Sequence, residues 1–259
     1  HLRGAVYEQI LAAEAALEAI EPLPEREVLD IDADERLEII LRTPSLQAIL
    51  DPDEGGAVFE LDDRRKPFNL LDTMARREEA YHDRLRSLGA HDANAAAAHS
   101  EGGAVSIHDV VAVKEPGLEA RLFYDVYRRG SFIDHALAPE VKFEQFLTAT
   151  LPEIADLAGA RYVWTQDDDG VRFERTTPVL VAGTPRLHVV KRIRLAGDTL
   201  SADYELVLDG PEPADFTFGV ELAVNFQAGD APDRYFEVPG RRLEDRRLVS
   251  AGSLEAVQR

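Results

Sequence analysis

The first group of residues that could do chemistry is acidic. Asp30, Asp32 and Asp34 alternate with apolar residues, and Glu38 follows four residues later. Alternate carboxylates converge on a hard cation when the backbone turns around it. An EF-hand loop requires glycine at its sixth position and glutamate at its twelfth, where this chain has glutamate and leucine. An EF-hand is therefore excluded. We favour an acidic surface turn over a different oxygen-ligand metal site built from Asp30, Asp32 and Asp34.

A second group combines amide, carboxylate, guanidinium, phenol and imidazole side chains within residues 69–82. Such groups hydrogen-bond sugar hydroxyls, and a tyrosine ring can stack on the apolar face of a pyranose. The same groups also build internal arginine–carboxylate networks that fasten a loop, and the residues alone favour this second interpretation. The members are Asn69, Asp72, Arg76, Arg77, Glu78, Tyr81 and His82.

Residues 124–135 repeat this combination of groups. Asp125, Arg128 and Asp134 are expected to pair with the second group and so to tie distant parts of the chain together. Glu221 lies in the middle of a predicted strand, with Val220 and Leu222 expected to face the core. A solvated or ion-paired glutamate is the default for such a position, and a ligand groove is the alternative.

These groups must be positioned by a mostly β structure. Apolar residues recur at helical spacing from Val6 to Ile20, and Pro22 and Pro24 end this helix. Alternation then predicts strands, including a hairpin around Asp167-Asp168-Asp169-Gly170, because Asp-Gly supplies the positive φ angles of a tight turn. Long antiparallel strands joined by tight turns predict a β-sandwich. The predicted strands lie near 37–41, 58–61, 162–165, 171–174, 187–195, 200–208 and 216–226.

Composition excludes several classes of function. The net charge of −20 opposes general binding to nucleic acid or to anionic membrane surfaces, whereas neutral sugars are indifferent to it. The absence of cysteine excludes disulfides and thiolate chemistry, and it fits a cytoplasmic location. Neither a His-Glu-x-x-His helix, a Gly-x-Ser-x-Gly elbow nor a phosphate-binding glycine loop occurs. We therefore predict no cofactor.

Several separate segments agree in order with one known family. They are His1-Leu2-Arg3, Asp30 to Asp34 leading to Glu38, Gly55-Gly56, Asn69 to Thr73 with Arg76-Arg77, Tyr124-Asp125 through His135, and Phe218 to Glu221. Together they resemble the C-terminal half of glycoside hydrolase family 57 enzymes, in the 4-α-glucanotransferase and α-amylase branch. The stretch Asn69-Leu70-Leu71-Asp72-Thr73 is the most specific of them.

The resemblance implies an antiparallel β-supersandwich of the galactose-mutarotase-like kind, preceded by a helix. Residues 1–24 are expected to be the helix that ends a preceding catalytic region. Residues 25–259 are expected to form the sandwich, shortened at its C-terminus and carrying a flexible insertion near 89–103. The resemblance further implies a parent enzyme that acts on α-1,4-glucans with retention, through two carboxylates on an N-terminal barrel. No residue of this chain inherits a catalytic role.

Three functional hypotheses follow. The first is a non-catalytic domain that supports the missing catalytic barrel and contributes to binding of an α-glucan or maltooligosaccharide. The second is a free-standing carbohydrate-binding or mutarotase-like module, which requires His82, Asp125 and Glu221 to converge in an open groove. The third is homodimerisation through exposed sheet edges. The candidate sugar contacts are Asn69, Arg77, Tyr81, His82, Asp125, Arg128 and Glu221.

Overall fold

A computed structural model describes residues 2–89, 117–211 and 213–255. The chain divides into a main body, residues 1–74 and 127–259, and a smaller unit, residues 75–126. The main body contains one helix at its start, two antiparallel sheets and one short helix, whereas the smaller unit is helical in its described part. A mostly β fold preceded by an N-terminal helix is therefore confirmed.

The larger sheet of the main body has seven strands. Six follow the order β1-β2-β3-β4-β6-β11, and β5 pairs with β4 beside this path. Every pairing is antiparallel. The strands are β1 (Arg26–Leu29), β2 (Glu38–Arg42), β3 (Leu46–Asp51), β4 (Ala57–Asp63), β5 (Phe68–Asn69), β6 (Ser131–Leu137) and β11 (Thr217–Leu222).

The smaller sheet has four strands in the order β10-β9-β8-β7. The predicted hairpin closes as expected, since Gln166 lies opposite Val171 and the amide of Asp167 donates to the carbonyl of Gly170 over 3.0 Å. The strands are β7 (Val163–Gln166), β8 (Gly170–Pro178), β9 (Arg186–Ala196) and β10 (Thr199–Asp209). The short helix α3 (Phe143–Leu147) precedes this sheet in the chain.

The hydrophobic core joins the inner faces of the two sheets. Ile39 and Leu50 from the larger sheet belong to one buried cluster with Phe173 and Ile193 from the smaller sheet. Gly56 shows how closely the two layers approach. Its φ is +57°, and a Cβ at this position would lie 2.8 Å from the ring of Phe173. Alanine at position 56 would therefore both strain the backbone and displace a core ring.

Helix α1 (Leu2–Glu18) lies on the outer face of the larger sheet. The helix was correctly predicted from its apolar periodicity. In an ordinary amphipathic helix the apolar stripe packs on the core, whereas here most of that stripe is exposed to solvent. Leu2 and Leu17 are 84% and 63% exposed. The stripe that meets the sheet instead carries Tyr7, Glu14 and Glu18 with a single fully buried side chain, Leu11.

The strand predicted over 216–226 is shorter than expected. β11 ends at Leu222 after an irregularity in register between Glu221 and Leu222. Beyond it the amide of Asn225 donates to the carbonyl of Leu70 and no longer joins the ladder. Val220 and Leu222 are exposed, so their expected place in the core was wrong.

The smaller unit contains helix α2 (Ala80–Gly89) and a 3-10 helix (Leu118–Arg121). Helical propensity over 70–86 is realised only from Ala80 onward. Residues 90–103 of the predicted insertion near 89–103 lie outside the described part of the chain.

Candidate functional site

An ion pair is buried between the two sheets. Lys191 of β9 and Asp134 of β6 are both fully buried, and the lysine Nζ lies 2.9 Å from a carboxylate oxygen. The same Nζ donates to the backbone carbonyls of Gly55 and Phe132 over 2.8 Å each. Tyr204 donates to Asp134 over 2.8 Å, and Tyr162 does so over 3.0 Å. We call Asp134, Tyr162, Lys191 and Tyr204 the inter-sheet centre.

The electrostatics of this centre are those of a closed core. Complete burial lowers the pKa of Lys191, and Asp134 opposes that effect. Burial, together with the neighbouring carboxylate, raises the pKa of both tyrosines. No polar side-chain atom of these four residues is left without a partner. A site this closed offers no room to a substrate.

A second cluster lies on the other face of β6. Glu153 contacts Nδ1 of His135 at 2.5 Å, and Glu221 contacts Nε2 at 3.4 Å. Tyr127 donates its phenol proton to Glu221 over 2.7 Å. We call His135, Glu153, Glu221 and Tyr127 the histidine centre. Glu221 is thus an ion-paired side chain, as its position in the middle of a strand led us to expect.

Protonation of the histidine centre follows from these contacts. Burial opposes a charge on His135, but the hydrogen bond with Glu153 and attraction from both glutamates raise its pKa to about 9. Burial also opposes ionisation of Glu221, yet the bonds from His135 and Tyr127 lower its pKa. An imidazolium therefore sits between two carboxylates at neutral pH.

A third cluster lies beneath α1. Gln47, Asp62 and Asn69 are cross-strand neighbours on β3, β4 and β5. The Gln47 amide donates to Glu14 of α1 over 3.2 Å and to Asp62 over 3.3 Å. Glu60 lies close enough to Asp62 and Tyr7, and Tyr7 to Asn69, for each to change the pKa of its neighbour. We call Tyr7, Glu14, Gln47, Glu60, Asp62 and Asn69 the seam centre.

The seam centre has an excess of acid. Burial and the charge of Glu60 raise the pKa of Asp62 to about 9, and burial also raises the pKa of Glu60. Two neighbouring buried carboxyl groups repel each other when both are ionised, so the pair favours retention of a proton. One oxygen of Asp62 and the amide nitrogen of Asn69 are buried without a partner. Among the described residues, no cation makes an ion pair with Glu60 or Asp62.

The carboxylates that converge in the acidic turn differ from the three named for the alternative metal site. Asp30, Asp32 and Glu38 place carboxylate oxygens within 4.8 Å of one another. Asp34 instead accepts the amide of Arg36, and Glu38 accepts the amide of Ile31. Burial and neighbouring acids raise the pKa of Glu38. These bonds are those of an acidic surface turn.

In the smaller unit, the predicted sugar contacts mostly serve internal bonds. Arg76 binds Asp125 through its backbone amide and guanidinium at 2.6–3.0 Å, which is the internal network that we favoured. His82 is buried, and its Nδ1 accepts from the amide of Glu79 and contacts the hydroxyl of Tyr124 at 3.0 Å. Tyr81 and Arg77 are exposed.

In the main body, the remaining candidates lie in different clusters. Asn69 belongs to the seam centre and Glu221 to the histidine centre, while the guanidinium of Arg128 lies 3.9 Å from the centre of the Phe59 ring. Asp134 pairs with Lys191 and not with the second group, so that expected tie was wrong. The mutarotase-like alternative required His82, Asp125 and Glu221 to face an open groove. Each of them is instead bonded to a neighbour, and the structure does not support that alternative.

Sequence reasoning named Asp134, Asn69 and Glu221 but missed Lys191, Glu60 and Asp62. Lys191 carried a usable signal, because it occupies an inward position between Val189 and Ile193 on an alternating strand. A charged residue at such a position requires a buried counter-charge. Glu60 and Asp62 gave no such signal, since alternation on β4 places them on the face expected to be exposed.

Comparison with known proteins identifies the family to which the chain belongs. The family model described as "Alpha-amylase/4-alpha-glucanotransferase, C-terminal" matches residues 30–258. The chain belongs to this family. The resemblance inferred from the motifs is therefore confirmed.

Relatives of this C-terminal domain family are much longer than the chain. Alpha-amylase 1 of Dictyoglomus thermophilum is 34% identical over 91% of this chain and 32% of that protein. The 4-alpha-glucanotransferase of Thermococcus litoralis is 31% identical over 87% of this chain and 32% of that protein. The crystal structure of the Thermococcus litoralis protein matches with a TM-score of 0.67 at 28% identity, over 86% of this chain and 31% of that one. The chain spans about a third of the length of these relatives.

The strands that carry the three centres lie within the region that the family model matches. Helix α1 precedes residue 30, where that match begins. Among the helices of the described residues, none is long and apolar enough to cross a membrane.

Proposed function

We propose that this chain is the non-catalytic C-terminal domain of an α-1,4-glucan-processing enzyme, a 4-α-glucanotransferase or an α-amylase of glycoside hydrolase family 57. One observation carries the proposal: a model of a C-terminal domain accounts for residues 30–258, while the named relatives are about three times as long. The region that performs retaining transglycosylation or hydrolysis belongs, on this proposal, to the part of the relatives that the chain does not match.

The arrangement of carboxyl groups supports a non-catalytic role. Retaining glycosidases place two carboxyl groups about 5–5.5 Å apart across an open cleft, with the sugar between them. Glu153 and Glu221 instead flank the imidazole of His135, which occupies the space that a sugar would need. Glu60 and Asp62 lie beneath α1, where burial raises the pKa of both carboxyl groups. Neither pair can act on a glycosidic bond in this arrangement.

The proposal assigns two roles to the domain. It supports the catalytic barrel of the parent enzyme, and it contributes contacts to an α-glucan or maltooligosaccharide. Tyr81 and Arg77 are the candidates best placed for such contacts, because both are exposed and both can bind a pyranose, through its apolar face or through its hydroxyls. A cytoplasmic parent that forms a homodimer completes the proposal.

An activity assay tests the proposal directly. The purified chain is incubated with maltooligosaccharides, and we expect neither disproportionation nor release of new reducing ends. The intact Dictyoglomus Alpha-amylase 1 serves as the positive control. Robust turnover by the chain alone would refute a non-catalytic role.

Calorimetric titration with a maltooligosaccharide tests the sugar contact. We expect Tyr81→Ala to weaken binding, whereas Tyr235→Ala removes an equally exposed tyrosine from the main body and is expected to have no effect. Equal binding by both variants would remove Tyr81 from the proposal and leave the accessory role untouched.

A further inference from the structure

Polar contacts attach α1 to the main body at three places. Arg3 pairs with Asp72 at 2.8 Å, Glu14 accepts from Gln47, and Glu18 pairs with Arg64. Leu11 is the apolar side chain of the helix that is buried. The other large apolar side chains of the helix stay partly or largely exposed, unlike those of an ordinary amphipathic helix.

The hydrophobic stripe of α1 remains exposed beside a groove. Helical spacing places Leu2, Val6 and Ile10 on one face of α1. Val6 is 56% exposed and Ile10 is 45% exposed. These three side chains form one wall of a cavity of about 640 Å³, and the outer face of the larger sheet forms the other. We call this cavity the α1 groove. Its apolar lining residues are Leu2, Val6, Ile10, Leu29, Ile31, Ile40 and Ile49.

Glu14 and Glu60 of the seam centre line the α1 groove together with Arg3 and Arg42. Both arginines already belong to ion pairs with other acids. The apolar residues of α1 that line the groove are exposed, although the isoleucines of β2 and β3 beneath them are buried. Neighbouring exposed apolar side chains mark a surface for another protein segment. The two glutamates fit a basic side chain on that segment.

The position of α1 identifies the occupant. The helix precedes residue 30, where the C-terminal family model begins, and the relatives are about three times as long as this chain. In a longer chain of this family, the preceding region enters through α1, directly beside the groove. At the α1 groove a second copy of the chain is disfavoured, because its own α1 would bring Glu8, Glu14 and Glu18 towards a groove that already holds Glu14 and Glu60. The proposed homodimer would use exposed sheet edges instead.

We propose that the exposed stripe of α1 and the α1 groove form the surface on which the preceding, catalytic region of a longer family member docks. The docking segment presents an apolar ridge to Val6 and Ile10 and a basic side chain to Glu14 and Glu60. This inference rests on the proposed function, since it specifies the surface by which the domain supports the catalytic region.

A binding experiment in trans tests the surface. The probe is the region of Dictyoglomus Alpha-amylase 1 that precedes its matched third, expressed separately and titrated with the 259-residue chain. The matched third of Alpha-amylase 1 itself serves as the positive control. We expect the double variant Val6→Glu/Ile10→Glu to lose about tenfold or more in affinity, because it places charges at the centre of the contact.

The matched control is Ala5→Glu/Ala12→Glu, which adds the same charge to exposed positions of α1 that do not line the groove. We expect its affinity to stay within about threefold of the unmodified chain, since charges outside a contact act weakly. Circular dichroism and thermal melting check that both variants keep the fold.

The outcomes separate the inference from the proposed function. Binding of equal strength by both double variants overturns the α1 docking surface but leaves the accessory role intact. If the positive control binds and the unmodified chain does not, the α1 docking surface is overturned, whereas the activity assay decides the proposed function separately. Sedimentation that shows a dimer of this chain lost in Val6→Glu/Ile10→Glu alone would assign the surface to a second copy and overturn the proposed occupant.

Discussion

The inter-sheet centre and the seam centre lie on opposite faces of the larger sheet, and they treat buried charge in opposite ways. In the inter-sheet centre, the charge of Asp134 meets the charge of Lys191, and every remaining polar atom has a partner. In the seam centre, Glu60 and Asp62 are buried together, no cation of the described residues forms an ion pair with either, and Asp62 retains a buried oxygen without a partner. The first centre is complete within this chain. The second has the composition of a surface that a partner completes.

The largest effect is expected at the inter-sheet centre. Lys191→Met leaves a buried carboxylate without its cation and should cost about 3–5 kcal/mol in the free energy of unfolding. Urea denaturation measures this loss. The double variant Lys191→Met/Asp134→Asn removes the unpaired charge as well and should be more stable than Lys191→Met alone. A cost under about 1 kcal/mol for the single variant would show that the ion pair is not the closed unit described above.

The histidine centre should give a smaller effect that depends on pH. His135 has a pKa of about 9 in the folded chain against an ordinary value of 6.5. Its contribution to stability is therefore fully present below about pH 6.5 and is lost as pH rises through about 9. At roughly 1.4 kcal/mol per pKa unit, this loss amounts to about 3 kcal/mol.

Glu153→Gln removes one of the two anions beside His135 and should reduce the pH-dependent loss. Glu140→Gln makes the same change of charge at an exposed position and should retain the pH profile of the unmodified chain. The measurement is the free energy of unfolding in urea between pH 6 and 10. Identical profiles for the two variants would remove Glu153 as the cause.

At the seam centre we expect a gain in stability. Folding raises the pKa of Asp62, so the folded chain must retain a proton there that the unfolded chain releases. That requirement costs stability increasingly as pH rises from about 4 to about 9. Asp62→Asn keeps an acceptor for Gln47 and adds a donor for Glu60, and it should stabilise the fold by about 1–2 kcal/mol at pH 8.

Asp63→Asn is the matched control for Asp62→Asn. Asp63 pairs with Arg65, and hydrogen bonds from Arg65 overcome its slight burial and lower its pKa, so its neutralisation should bring no gain. Thermal unfolding at pH 8 compares the two variants. A loss of stability in Asp62→Asn would mean that contacts within the chain already stabilise the charge of the Asp62 carboxylate.

The smallest effect is expected at the surface. Arg65 is exposed, and its ion pair with Asp63 is open to water and salt. Arg65→Ala should leave the midpoint of urea unfolding unchanged within error. A clear shift would show that exposed charges also contribute to the contrast between the two centres.

Local patterns in the sequence were sufficient to predict much of the β structure. The hairpin of β7 and β8 follows from alternation around Asp-Gly, and the pair β9 and β10 follows from two alternating runs around Gly197-Asp198. β11 was predicted too long, because the alternation through Phe226 does not reveal that Asn225 pairs with Leu70. Register over such a distance is a tertiary property.

The candidate clusters were harder to predict, for the same reason. Lys191 lies 136 residues from Gly55, one of its acceptors, and Tyr127 lies 94 residues from Glu221. Periodicity predicted that α1 is a helix, but it cannot say which face packs on the sheet. Tertiary contacts decided that question in favour of the polar stripe.

The contrast between the two centres is tested most directly by the titration of Asp62 in the isolated chain. Carboxyl-carbon NMR, with the signal assigned by its loss in Asp62→Asn, follows the protonation of this one side chain. The account predicts a midpoint several pH units above the ordinary aspartate value, because Asp62 is buried beside Glu60 and no described cation pairs with it. A midpoint near the ordinary aspartate value of about 4 would contradict it, since the seam would then already hold a compensated charge.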